Sequence, residues 1–279
     1  MQSLDRQLLG GPVVIVAPHM DDEALACGGM IAKLPDKRAT HIIYVTDGMK
    51  SPAPIIPGRD EITGDLSRVR MQESMAAMKL LGVPEANLHF LCLPEARVRD
   101  HVPQLRQLLR TKLHSLEPAC IFVPFRYDRH PDHLAVNHVV VSELAQGNLE
   151  ARLIEYFVYY RWRLMPKRDI RKYIRPRFLY KLDISDVAEK KRQALNCFES
   201  QTSIFYPWQT RPILTSRLLD EECQNPEYFL VEDGSFRGTN IFTGYRAWIR
   251  LVHRVEPVLQ KWKYLTGALL KRMLKHGVR

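Results

Sequence analysis

Short apolar runs alternate with helical patterns along the first half of the chain. Val13-Val14-Ile15-Val16 lies inside one such run, 12–17, and others occupy 40–46, 87–93 and 119–124. Brief runs of this kind predict strands buried on both faces. Between them, apolar residues recur every three or four positions. That spacing predicts helices over 22–34, 67–82 and 102–116, with another over 134–146. Leu81-Gly82-Val83-Pro84 is a strong stop signal for the second. The alternation predicts an α/β, Rossmann-like three-layer fold with a mostly parallel central sheet. If the strand order is 3-2-1-4-5, the first and fourth strands are neighbours, and ligands bind beyond their carboxyl ends.

The pattern changes after residue 150. Segments 153–164 and 176–184 read as strands with aromatic weight, and 185–200 as a helix opened by a capping box at Ser185-Asp186-Val187-Ala188-Glu189. Segment 203–226, rich in Pro and aromatics, reads as loop. The expected organisation is one domain over 1–245 and a basic amphipathic, helical C-terminal extension over 246–279.

Charge sharpens that division. Of the net +10, residues 246–279 hold +8, with nine Lys/Arg against Glu256 alone. In this extension Trp262, Leu265, Leu269 and Met273 fit one helical face, and Pro257 divides two helices. A helix packed on the domain with a solvated basic side explains the pattern. So does an interfacial helix on an anionic membrane surface. No base-reading motif accompanies the charge, so nucleic acid is not expected. Five scattered cysteines form no CxxC pair and give neither a disulfide framework nor a thiolate zinc site. With no signal-peptide pattern at the start, the expected location is cytoplasmic, with peripheral membrane association through the extension as a further expectation.

Two polar clusters carry the chemistry. His19-Met20-Asp21-Asp22-Glu23 directly follows the first predicted strand, and His130-Pro131-Asp132-His133 follows the fourth. His and carboxylate donors suit zinc, although other divalent ions accept such sets. His19 and Asp22 are three apart, as are His130 and His133, and Pro131 suits a first helical position. Either cluster alone is also explained without a metal, the first as a helix cap with solvated acids and the second as an Asx-type loop. Gly28-Gly29 lie inside a helix pattern, not in a dinucleotide turn, and the preceding carboxylates would repel a pyrophosphate. The remaining histidines, among them His253, read as surface or packing residues.

Ala17-Pro18-His19-Met20-Asp21-Asp22-Glu23 and Asp128-Arg129-His130-Pro131-Asp132-His133 resemble the two motifs of the PIG-L/LmbE family of zinc-dependent N-acetylglucosaminyl deacetylases. Thr46-Asp47-Gly48, Arg70 with Glu73, and Asp183-Ile184-Ser185 leading to Lys191 and Ser200-Gln201 are weaker matches. Met20 stands where the family usually has proline. The resemblance implies that His19, Asp22 and His133 bind zinc and that Asp21 is the general base. It also implies that His130 stabilises the oxyanion, that Asp132 orients His130 from behind, and that Arg70 contacts substrate. A surface Arg70 paired with Glu73 is the plainer alternative. The implied activity is removal of an N-acetyl group from an N-acetylglucosamine-type sugar or conjugate, soluble or lipid-linked. An amidase on another N-acyl or thiol conjugate and a non-catalytic metal- or sugar-binding module are the alternatives. Pocket walls are expected from 49–66 and 201–215.

Overall fold

The computed structural model describes residues 2–3, 10–52, 65–232, 240–256 and 258–259. Its strands are β1 (Gln2–Ser3), β2 (Val13–Ala17), β3 (Thr40–Thr46), β4 (Leu88–Leu93), β5 (Cys120–Pro124), β6 (Arg152–Tyr156), β7 (Leu179–Leu182) and β8 (Glu227–Val231). They form one sheet in the order β1-β7-β8-β6-β5-β2-β3-β4. The stretch from β4 to β6 is parallel throughout, whereas β8 runs antiparallel to both β6 and β7.

The helices are α1 (Asp22–Lys33), α2 (Leu66–Leu81), α3 (Val102–Leu116), α4 (Pro131–Ala145), α5 (Ala188–Asn196), α6 (Glu199–Thr202) and α7 (Ser216–Gln224). Every residue of β2 is buried, and successive side chains enter opposite layers. Val13, Ile15 and Ala17 pack with residues of α1, α2, α5 and α7, while Val14 and Val16 pack with α3 and α4. This is why the run reads as continuously apolar. The chain leaves β2 for β3 and β4 on one side and returns to β5 on the other. The carboxyl ends of β2 and β5 are therefore neighbours across the point where strand order reverses.

Several predicted elements differ. The strand expected over 153–164 ends at Tyr156; Phe157, Tyr160 and Trp162 instead join a third apolar cluster with Phe125 and Ile170. The strand expected over 176–184 is only Leu179–Leu182, after a 3-10 turn at Pro176–Phe178. The capping box at Ser185 does not form. Ser185 N donates to Asp183 Oδ1, and α5 starts at Ala188 with no side-chain cap. The predicted loop 203–226 contains α7, whose cap is Thr215, accepting from Leu218 N at 3.4 Å.

Residues 246–256 of the extension are helical and bury Ile249 and Val252 in the third cluster. Pro257, the predicted second helix around Trp262 to Met273, and most of the predicted pocket loop 49–66 lie outside the described residues.

Candidate metal centre and active site

The β2–α1 turn brings His19, Asp21 and Asp22 to the end of β2. His19 N donates to Asp22 Oδ2 at 2.9 Å, which folds the two side chains together. Across the strand-order reversal, His130 caps α4: its Nδ1 accepts the N–H of Asp132 at 3.3 Å. Pro131 occupies the first turn, and His133 follows on the inner face of α4.

Three donor atoms then meet. His19 Nδ1 lies 3.2 Å from Asp22 Oδ2, His133 Nε2 lies 3.1 Å from the same oxygen, and the two nitrogens are 3.1 Å apart. Tetrahedral zinc with bonds of about 2.0–2.2 Å sets its ligand atoms roughly 3.3–3.6 Å apart, so this triangle needs only slight expansion. The far ring nitrogens face carboxylates. His19 Nε2 is 3.2 Å from Asp132 Oδ2, and His133 Nδ1 makes an ion-pair contact at 3.2 Å with Asp128 Oδ2. Such partners fix the tautomer and aim the near nitrogen's lone pair inward. Lone pairs and a carboxylate at this spacing repel unless a proton or cation lies among them. Burial alone would lower the pKa of His19, but Asp132 and Asp22 outweigh it and raise it to about 9. For His133 burial is likewise outweighed, by Asp22 and Asp128, and its pKa rises well above the usual value. The acids that attract a proton here attract a metal for the same reason, and the two compete.

A looser donor set replaces Asp22 with His130; the ligand atoms of His19, His130 and His133 lie within 4.8 Å of one another. Two features set His130 apart. Its Nδ1 is engaged by a backbone N–H, which leaves the ring proton on Nε2. Burial, with His19 and His133 nearby, lowers its pKa to about 3, so the ring is a neutral donor.

Asp21 lines the adjoining cavity, and its backbone is strained at φ 150°. Its N–H donates to Glu23 Oε2 at 3.1 Å, and Glu23 is itself held by the Tyr44 hydroxyl at 2.9 Å. Burial raises the Asp21 pKa to about 7, against the opposing pull of Arg70.

Arg70 is buried rather than on the surface. Its Nη2 donates to Met20 O at 2.6 Å and lies 3.4 Å from Asp21 Oδ2, whereas Glu73 turns to Ser200. Nε and Nη1 of Arg70 have no hydrogen-bond partner among the described residues, and Nη1 is 3.9 Å from Glu95 Oε2. Gly48, at φ +71°, makes room for this arrangement: a Cβ there would sit 2.6 Å from Met20 Cε and 3.0 Å from Arg70 Cδ. Met20 thus packs beneath the turn, not in the cavity wall.

One implied role changes. Asp132 backs His19, not His130: its Oδ2 is 3.2 Å from His19 Nε2 but 4.0 Å from His130 Nδ1. The N–H groups of Ala96 and Val98 hold the same carboxylate. Glu23 and Asp128, quoted within the two motifs but given no role there, and Glu95 and Tyr159, which the sequence pattern did not single out, also lie at or beside the site. Asp128 sits inside the second motif, and Glu95 follows the end of β4, which are the signals available for them.

The cavity holds about 310 Å³, near the lower end for small-molecule sites. His19, Asp21, Asp22, Arg70 and His130 line its polar side, while Leu25, Phe157, Leu214 and Leu218 are among its apolar wall. Lys50, Ser51, Ile213 and Leu214 come from the two segments expected to supply walls.

Residues 14–144 match the family model PIG-L, described as GlcNAc-PI de-N-acetylase. A diacetylchitobiose deacetylase from Thermococcus kodakarensis is 26% identical over 203 residues, spanning 68% of this chain and 69% of that protein. Two solved structures share the fold. The conserved protein TT1542 from Thermus thermophilus has TM-score 0.57 and 22% identity, over 82% of this chain and all of that one (100%). An N,N'-diacetylchitobiose deacetylase from Pyrococcus horikoshii, complexed with an inhibitor, has TM-score 0.56 and 21% identity, over 84% of this chain and 88% of that one. With both His/Asp motifs inside the matched stretch and opposed across the strand-order reversal, residues 14–144 are similar to the PIG-L family of de-N-acetylases.

Proposed function

We propose that this protein is a metal-dependent hydrolase that removes the N-acetyl group of an N-acetylglucosamine-type amino sugar or its conjugate, with zinc as the metal. The observation that carries this reading is the donor triangle of His19, Asp22 and His133 with Asp21 beside it at the cavity. These three residues would hold the ion. A divalent ion there supplies Lewis acidity, lowering the pKa of a coordinated water and polarising the amide carbonyl.

The protein's own groups do the rest. Asp21 accepts the proton of the attacking water and returns it to the departing nitrogen. His130 donates from Nε2 to the oxygen on which negative charge develops. Arg70 steadies Asp21 and places its positive charge at the polar side of the cavity. Water and amide are consumed, and acetate and a free amine leave. The zinc-loaded protein is expected to release acetate from at least one member of a panel of N-acetylglucosaminides, and chelation is expected to stop it. Acetate from none of them, with release from other N-acyl compounds, would move the reading to the amidase alternative.

A membrane-facing role has one supporting observation. Trp248, Leu251 and Val255 are exposed along one helical stripe, with Arg246, Arg250 and Arg254 exposed nearby. Among the described residues no helix is long and apolar enough to cross a membrane, so this would be surface contact. Co-sedimentation with vesicles containing phosphatidylglycerol, weakened by Trp248→Ser with Leu251→Ser, is the expected result. Equal pelleting of both proteins contradicts it.

A further inference from the structure

The helix over 246–256 lies outside the segment that matches the family model, yet its buried face reaches the second motif. His253 Nε2 is 3.1 Å from the carbonyl oxygen of Asp128. A carbonyl only accepts, so Nε2 carries the proton and donates. The His253 ring also stacks on Trp162, with centroids 5.4 Å apart, and meets Tyr127 edge-on. One turn later, Glu256 is 2% exposed. Its carboxylate accepts from Arg129 Nη1 at 3.1 Å and from the backbone N–H groups of Arg163 and Leu164 at 2.9 and 3.0 Å. A carboxylate this deeply placed is retained only with several donors, and these join the second motif to the 157–164 wall.

Asp128 is the junction of this network. Its Oδ1 accepts from His130 N at 2.8 Å, and its Oδ2 accepts from Tyr159 N at 3.2 Å and contacts His133 Nδ1. The residue thus touches candidate ligand, candidate oxyanion donor and cavity wall together. Its own carbonyl is anchored by His253.

We propose that His253 and Glu256 are positioning residues of the active site: the C-terminal helix holds the 126–130 loop so that Asp128 backs His133 and Arg129 stays in the cavity wall. This rests on the metal-centre reading above. Neither residue touches the reacting atoms; both act through Asp128 and Arg129.

The test compares His253→Leu, His253→Gln and Glu256→Ala in the full-length protein. The readouts are zinc retention against a chelator, kcat and KM on the best substrate, and Tm. Gln places an amide N–H near the position of Nε2, whereas Leu only fills space. Outer partners of metal ligands change metal affinity or activity by about 10–100-fold, and one step further out a smaller change, roughly threefold to tenfold, is expected for His253→Leu. His253→Gln should recover most of it. Glu256→Ala should raise KM more than it lowers kcat, because Arg129 loses its anchor. Wild-type zinc retention and kinetics in both His253→Leu and Glu256→Ala would overturn the proposal. So would equal loss in Leu and Gln variants that merely tracks Tm. If wild-type protein itself retains no zinc, the metal-centre reading fails instead, and the two failures are distinguishable.

Discussion

Asp21→Asn is expected to keep its metal and lose its turnover, with kcat lower by about 10²–10⁴-fold. The amide matches the carboxylate in size, so the buried turn and the contact with Arg70 Nη2 need not rearrange. What it cannot do is take a proton. Asp21 is suited to proton transfer because it borders the cavity and burial brings its pKa to about 7, where it can both accept and release a proton near neutral pH. Its strained backbone is held at the amide by Glu23, and its carboxylate lies 3.4 Å from Arg70 Nη2. Acetate release together with zinc content decides the matter. A variant that turns over at the wild-type rate removes Asp21 as the base.

His133→Ala is expected to weaken zinc retention by more than about 100-fold, beyond the effect of losing an outer partner. Nε2 of His133 closes the triangle with His19 and Asp22, and its removal also leaves the buried Asp128 carboxylate without its imidazole. His130→Ala should behave differently, lowering kcat while zinc is retained, since Nδ1 of His130 serves the backbone and Nε2 is protonated. Chelator competition at one fixed pH, because protons compete with metal, separates the two variants. Equal zinc loss in both would favour the donor set that includes His130.

Much of this arrangement is legible in the sequence because it is local. Strands β2 and β5 read as strands since a parallel strand buried on both faces is apolar throughout, and β3 carries a similar run over 42–45. The two motifs are each contiguous, so their residue types and their place after an apolar run are visible together. Their pairing follows from strand order alone.

What the sequence hides depends on distant partners. Phe157 to Trp162 look like strand residues by type, yet they leave the sheet to build the third cluster and the cavity wall. Helix α7 is concealed by the surrounding Pro and aromatic residues, although Leu219 and Cys223 keep helical spacing behind the Thr215 cap. Asp128, Glu95 and Glu256 carry no periodic signature. A buried carboxylate is defined by its donors, and those of Glu256 come from residues about a hundred positions away. His253 reads as packing for the same reason: its partner, Asp128, is on another element.

Anomalous scattering at the zinc edge, recorded from crystals of the zinc-loaded protein, tests the central claim most directly. A single strong peak is expected about 2.0–2.2 Å from His19 Nδ1, Asp22 Oδ2 and His133 Nε2, with the His130 ring outside the coordination shell. A peak bonded to His130 in place of Asp22, or no peak between the two turns, would contradict it.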